Sequence, residues 1–266
     1  MAYYEEIKNR DIMTRIKRLL QNGGYYFRDD GKVTADRRIS WDGPWHYVRH
    51  HPMLDCGTWH QILFDVISMG LPPEERFVPS GCQECYKVVV RPKSLKQLFA
   101  LLNLEKRLDK PSKCGIEIRE TVHGLYGGYF YNIGLEAGKD CYKIVRQEVD
   151  QDQHLGPDIT VLLKRGCTEY EHAIGPSNKW AITPRQMDIE GLLEMILAKD
   201  NIDRRQTEQH QMYVHRKWIE FAYAAGDPTY AEFTDGPLYP NYVTYHHLTG
   251  DPGKTVSLSK RKDKKS

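Results

Sequence analysis

No apolar run in this sequence approaches the roughly 18 residues that a membrane-spanning helix needs. The N-terminal segment "MAYYEEIKNRDIMTRIKRLL" is charged and amphipathic, without the apolar stretch of a secretory signal. The chain is therefore expected in the cytoplasm, with no membrane partner. Net charge is also missing: 38 Lys and Arg against 36 Asp and Glu leave +2, so whole-chain charge does not by itself argue for nucleic acid or membrane. Familiar catalytic signatures are absent too. The sequence contains no P-loop, nucleophile elbow, HExxH pair or Rossmann fingerprint, and no CxxxCxxC run of the radical SAM type. Cysteine is sparse, at six in 266 residues. In a reducing compartment these six are not a disulfide framework, which leaves metal, cluster or catalytic use, or buried thiols.

The chain does have enough apolar material, at 40% hydrophobic residues, to bury a sizeable core without staples. Residues 1–79 read as an N-terminal segment packed on that core. It holds a helix over Glu5 to Leu20, a hairpin turning at Asp30-Gly31, and a helical apolar face at Ile62, Leu63, Val66 and Ile67. Residues 80–182 carry a regular alternation. "YKVVVRP" is a β-branched strand, and "SLKQLFALLNLEKRL" is a helix capped by Ser94. "CGIEIRETV" and "GLYGGYFYNIG" are two further strands. "LEAGKDCYKIVRQEV" is a helix weakened by Gly138, and "DITVLLKRG" is a last strand. The order βαββαβ predicts an α+β fold with a ferredoxin-like core, an antiparallel sheet with two helices on one face. Residues 183–250 read as C-terminal helices, the first capped by Thr183-Pro184, followed by a Tyr- and Pro-rich loop. Residues 251–266 read as a basic disordered tail.

This topology bears on the cysteines. Cys82 and Cys85 precede the first core strand, Cys114 opens the second, Cys167 follows the fourth, and Cys141 lies about two turns into the second helix. All five are assigned to one end of the sheet or its neighbourhood, and Cys56, near a helix start, can reach the same end. A thiolate centre needs several soft ligands gathered within about 2.3 Å of one metal. Cys82 and Cys85 anchor the expected centre, Cys56 and Cys141 complete it, and Cys114 and Cys167 are reserves. One CxxC pair with dispersed partners favours a [4Fe-4S] cluster over zinc, since structural zinc sites usually show two close pairs. The expected protein is an iron-sulfur enzyme or redox component acting on an unidentified substrate or redox partner. Glu169, Glu171, His172 and Lys179, following the last strand at the same end, are the candidate proton and anion handlers.

The alternative reading is an RNA- or DNA-binding protein with a structural zinc site. Between Tyr86 and Lys113 eight Lys or Arg (Lys87, Arg91, Lys93, Lys96, Lys106, Arg107, Lys110, Lys113) face only Glu105 and Asp109, a local excess of six. Tyr126, Tyr129, Phe130 and Tyr131 lie on the Gly-aromatic strand "LYGGYFYN". Together with the basic tail they offer cations and stacking rings of the kind that nucleic-acid-binding sheets use.

Overall fold

The computed structural model describes residues 25–35, 43–49, 62–196, 206–236, 238, 244–246 and 255–257. The expected helix over Glu5 to Leu20, and Cys56 with its flanking histidines, lie outside these residues. Strands β1 (Tyr25–Phe27) and β2 (Val33–Ala35) form the hairpin expected at Asp30-Gly31. Gly31 there takes φ 77°, a conformation open to glycine at little cost. Then follow β3 (Trp45–Arg49), a single turn α1 (Ser80–Gln83), β4 (Cys85–Arg91), α2 (Leu95–Leu108), β5 (Ser112–Ile116) and β6 (Tyr126–Ile133). The chain continues through α3 (Leu135–Gln151), β7 (Thr160–Arg165), α4 (Thr168–Ile174), α5 (Pro184–Ile196) and α6 (Glu208–Ala224). A second two-stranded pair, β8 (Thr244–His246) with β9 (Thr255–Ser257), places a paired strand inside the segment read as a disordered tail.

The architecture is mixed α+β around a five-stranded antiparallel sheet of order β3-β5-β6-β4-β7. From β4 to β7 the element order is the βαββαβ read from the sequence. The strand that reading lacked is β3, which pairs with β5 at one edge. Local chemistry explains the elements between the strands. Ser94, in extended conformation, accepts a hydrogen bond from the Gln97 amide at 3.3 Å and so starts α2. Asp109, at φ 48°, ends it. Gly138 does not weaken α3 without return: a Cβ there would lie 2.8 Å from Tyr86 Cβ and 3.0 Å from Leu163 Cδ1, so the glycine lets the helix lie close against the sheet. Thr183 accepts from the Gln186 amide at 3.1 Å and caps α5 as its sequence suggests.

Strand alternation divides the sheet into two faces. On one, Val88, Val90, Phe130 and Val161 meet Leu98 and Leu101 of α2, Val145 and Val149 of α3, and Val214 and Trp218 of α6. Each buried aliphatic side chain of this kind contributes about 1.5–3 kcal/mol. A second cluster of Phe64, Val78, Cys82, Tyr170 and Trp180 joins the segment before β4 to α4. Ser80 ties the same segment to α5, its amide and hydroxyl both donating to Glu190, at 2.9 and 2.5 Å. Among the described residues α2, α3 and α6 cover only the first face; α4 reaches the other through Glu171 to Lys164 and Glu169 to Arg119.

Candidate functional site

Cys82, Cys85 and Cys167 share one end of the sheet around Gly166 and Lys87, while Cys114 and Cys141 stand apart from them. Cys82 is buried in the Phe64–Trp180 cluster, its thiol 3.4 Å from the Tyr170 hydroxyl. Cys85 begins β4 with its side chain on the sheet face opposite α2, α3 and α6, since it shares the alternation of Lys87, Val89 and Arg91. Cys114 and Cys141 are buried on the opposite, helix-covered face. Their thiols are pushed upward, chiefly by burial, and for Cys114 also by the facing Glu105. Along β6, Cys85 pairs at Ile133 and Cys114 at Gly128, five positions apart, which is about 17 Å at the rise of a strand. Cys167 caps the start of α4 and is partly exposed. Among the described residues no group of three or more His, Cys, Asp or Glu side chains is arranged to hold a metal.

The expected proton and anion handlers are likewise spread out. Glu171 pairs with Lys164 and accepts from the Ser177 amide at 3.3 Å. Its carboxyl is held below the usual range because the Lys164 and Ser177 bonds outweigh burial, which acts the other way. Glu169 is exposed and lies 3.4 Å from Arg119, while His172 and Lys179 are exposed on α4 and the turn after it.

The sheet face opposite α2, α3 and α6 concentrates a different chemistry. Register sets its side chains in rows across the strands. One row runs Tyr47, Lys113, Tyr129, Val89, Leu162; another sets Tyr131 beside Lys87 and Lys87 beside Lys164. Trp45 stands opposite Gly115 at the outer edge. A Cβ at Gly115 would collide with the Pro44 carbonyl, so the absence of a side chain is what lets β3 close on the sheet. The Lys113 ammonium lies 4.3 Å from the Trp45 ring centre, 5.6 Å from Tyr47 and 5.9 Å from Tyr129. Arg91 and Arg119 lie over Tyr129 at 5.4 and 5.7 Å. Such cation–ring contacts contribute about 0.5–1 kcal/mol each where exposed and more where water is excluded.

Tyr129 anchors these cations. Its hydroxyl donates to Glu117 at 2.6 Å and accepts from Arg119 at 2.8 Å and Arg91 at 3.0 Å. Glu117 has a fully buried side chain that also accepts from Nε and Nη2 of Arg119. Burial alone would raise its pKa, but the Arg119 and Tyr129 bonds hold it down to about 2. Burial, with Glu117 second, pushes the Tyr129 phenol up. One carboxylate thus fixes two guanidinium groups beside a lysine. With Arg91, Arg119 and Lys113 against Glu117 and Glu169 the node has one positive charge in excess.

Sequence reasoning found Tyr129, Tyr131, Lys87, Arg91 and Lys113 but missed Trp45, Tyr47, Glu117 and Arg119. A signal for the first two was present: in "WHYVR" a period of two puts Trp45 and Tyr47 on one side and His46 and Val48 on the other, before the register shifts at Arg49. Nothing local marks Arg119, which lies in the loop after β5. No protein-family model, curated protein or solved structure matches the chain.

Proposed function

We propose that the sheet face opposite α2, α3 and α6 binds single-stranded nucleic acid. The observation that carries this reading is the Lys113 ammonium held over Trp45, Tyr47 and Tyr129 on one sheet face, with Arg91 and Arg119 fixed beside it. Trp45, Tyr47 and Tyr131 are each partly exposed and offer planar surfaces on which bases stack, while the cations meet phosphates. The strand order from β5 to β7, counted within the βαββαβ unit as 2-3-1-4, supports a ferredoxin-like core, a framework on which a sheet face reads unpaired bases. Among the described residues no helix is long and apolar enough to cross a membrane.

The test is fluorescence anisotropy with labelled single-stranded DNA and RNA oligonucleotides over a range of salt. Binding should weaken with salt, and Lys113→Ala should reduce the slope of log K against log salt by about 0.7. Trp45→Ala should weaken binding by about 1–3 kcal/mol, the cost of one lost stacking surface. Salt-insensitive binding, or binding untouched by Trp45→Ala and Tyr47→Ala together, would sink the proposal. A cysteine-ligated iron-sulfur or zinc centre is the competing proposal, and the same preparation tests it. Visible absorption with stoichiometric iron and sulfide, lost in Cys82→Ala, would favour the centre.

A further inference from the structure

The two edges of the sheet are finished differently. At β3 the Gln206 carboxamide closes the edge, accepting from the Tyr47 amide at 3.0 Å and donating to the Trp45 carbonyl at 2.8 Å, so a side chain stands where a further strand would pair. The other edge is β7, which among the described residues pairs only with β4. Two hydrogen bonds settle which of its main-chain groups point outward. The Gly166 amide donates to the Cys85 carbonyl at 2.8 Å and the Gly134 amide to the Glu84 carbonyl at 2.8 Å, so odd-numbered residues of β4 bond to β7 and even-numbered ones to β6. Thr160, Leu162 and Lys164 therefore turn their amides and carbonyls toward β4, while Val161, Leu163 and Arg165 turn theirs away from the sheet. No described residue bonds those outward groups. Leu162, in the middle of this edge, is 38% exposed.

We infer that β7 docks β7 of a second copy of this chain, antiparallel, about a two-fold axis at Leu162. Outward amides and carbonyls call for an extended partner, and what flanks them selects the partner. Pairing centred on Leu162 sets Val161 of each copy opposite Leu163 of the other, each pair exchanging N–H···O bonds in both directions. Leu162 then meets Leu162 of the second copy in a non-hydrogen-bonded pair, where side chains approach most closely, and the exposed apolar residue is covered by its own kind. Charge favours the same arrangement. Exposed Asp158, with no ion pair among the described residues, precedes the strand, and Lys164 and Arg165 end it. Arg165 directs its hydrogen bonds to the Gln83 and Ser177 carbonyls, so no carboxylate neutralises it. Antiparallel pairing brings the acidic end of each strand to the basic end of the other, whereas parallel pairing would set like charges together. The two sheets become one, joined at an isologous interface. This interface stands independently of the nucleic-acid reading.

Sedimentation velocity on the intact chain, at concentrations up to about 100 μM, tests the interface. The wild type should show a species of twice the 31.0 kDa chain mass whose share grows with concentration. Leu162→Lys changes an exposed position and sets two like charges opposite each other across the axis, so the chain should still fold while the dimer dissociation constant rises at least about 10-fold. Leu162→Cys, oxidised under mild conditions, should link two copies through residue 162, because directly opposed Cα atoms in such a pair lie about 4.5 Å apart, within reach of a disulfide. Mass spectrometry of the digested dimer identifies the linked peptides. A monomer throughout the concentration range would overturn the inference. So would a dimer that Leu162→Lys leaves intact and that yields no peptides joined at residue 162, since the copies would then meet at another surface.

Discussion

Replacing Glu105 with methionine should stabilise the protein at pH 8 by about 2–4 kcal/mol, and the gain should shrink as the pH falls toward 4.5. Glu105 lies on α2 with no exposed surface, and neither carboxyl oxygen has a partner in hydrogen-bonding geometry. It faces Leu101, Gly128 and Cys114 inside the main core. Burial drives its pKa well above the ordinary value, against weaker opposing contributions from Cys114 and Lys113. The sign follows from linkage. A carboxyl whose folded pKa is raised is unpenalised below the unfolded value of about 4.3, and costs about 1.4 kcal/mol per pH unit above it until the folded pKa is reached. Methionine has similar length and no proton to lose, so it removes this penalty and leaves the packing.

The same variant should expose an opposite slope on the acid side. His46 on β3 and His215 on α6 share a 3.0 Å hydrogen bond. Burial above all, then for His46 the charges of His215, Lys106 and His210, lowers them to about 3 and about 4. With folded values below the unfolded 6.5, their contribution is complete above pH 6.5 and is lost as the pH falls toward 4, at about 1.4 kcal/mol per unit for buried His46. Between pH 6.5 and 4.5 the wild-type Glu105 offsets this loss. Guanidinium titrations across pH 4.5–8 should therefore give a profile in Glu105→Met that falls more steeply with acid than the wild-type profile. A pH-independent gain would show that burial does not shift the Glu105 pKa, and a loss at pH 8 would show that the carboxylate is ionised and paired.

The contrast between fold and site shows which physics a sequence exposes. The order β4-α2-β5-β6-α3-β7 was legible because each element carries its own signal: the Ser94 cap, the β-branched run at Val88 to Val90, the alternation through Tyr126 to Asn132. Topology also predicted that Cys85 lies at the start of β4 and that Cys167 follows β7, whereas Cys114, read as opening its strand, stands in the middle of β5. It did not say which way each thiol points, and a shift of one residue reverses the face, so Cys85 and Cys114 lie on opposite sides of the same sheet. The candidate site depends on long-range register. Trp45 and Tyr47 reach Lys113 only because β3 pairs with β5 across more than sixty residues of chain, and no local pattern encodes that pairing.

Asp227→Ala should cost about 3–5 kcal/mol, the largest loss expected from any single polar residue in the described structure. Asp227 is 8% exposed and ties three elements together. One carboxylate oxygen accepts from the Leu95 amide at 2.6 Å, at the start of α2, and from the Tyr126 hydroxyl of β6 at 2.8 Å. The other accepts from the amide and hydroxyl of Thr229, at 3.0 and 2.7 Å, fixing the turn after α6. Burial opposes the charge, but these bonds together keep the Asp227 pKa below its ordinary value, so its contribution is present above about pH 3.9 and lost in stronger acid. Truncation leaves the Tyr126 hydroxyl, on a fully buried residue, and the first amide of α2 without acceptors, and each orphaned donor costs about 1–3 kcal/mol. Because part of the loss is that stranded hydroxyl, Tyr126→Phe should cost less in the Asp227→Ala background than in the wild type. The double-mutant cycle should give a coupling of about 1–3 kcal/mol by chemical denaturation. Additive losses would mean that Asp227 acts only on α2 and the Thr229 turn, and that the tyrosine hydroxyl is satisfied elsewhere once the carboxylate is gone.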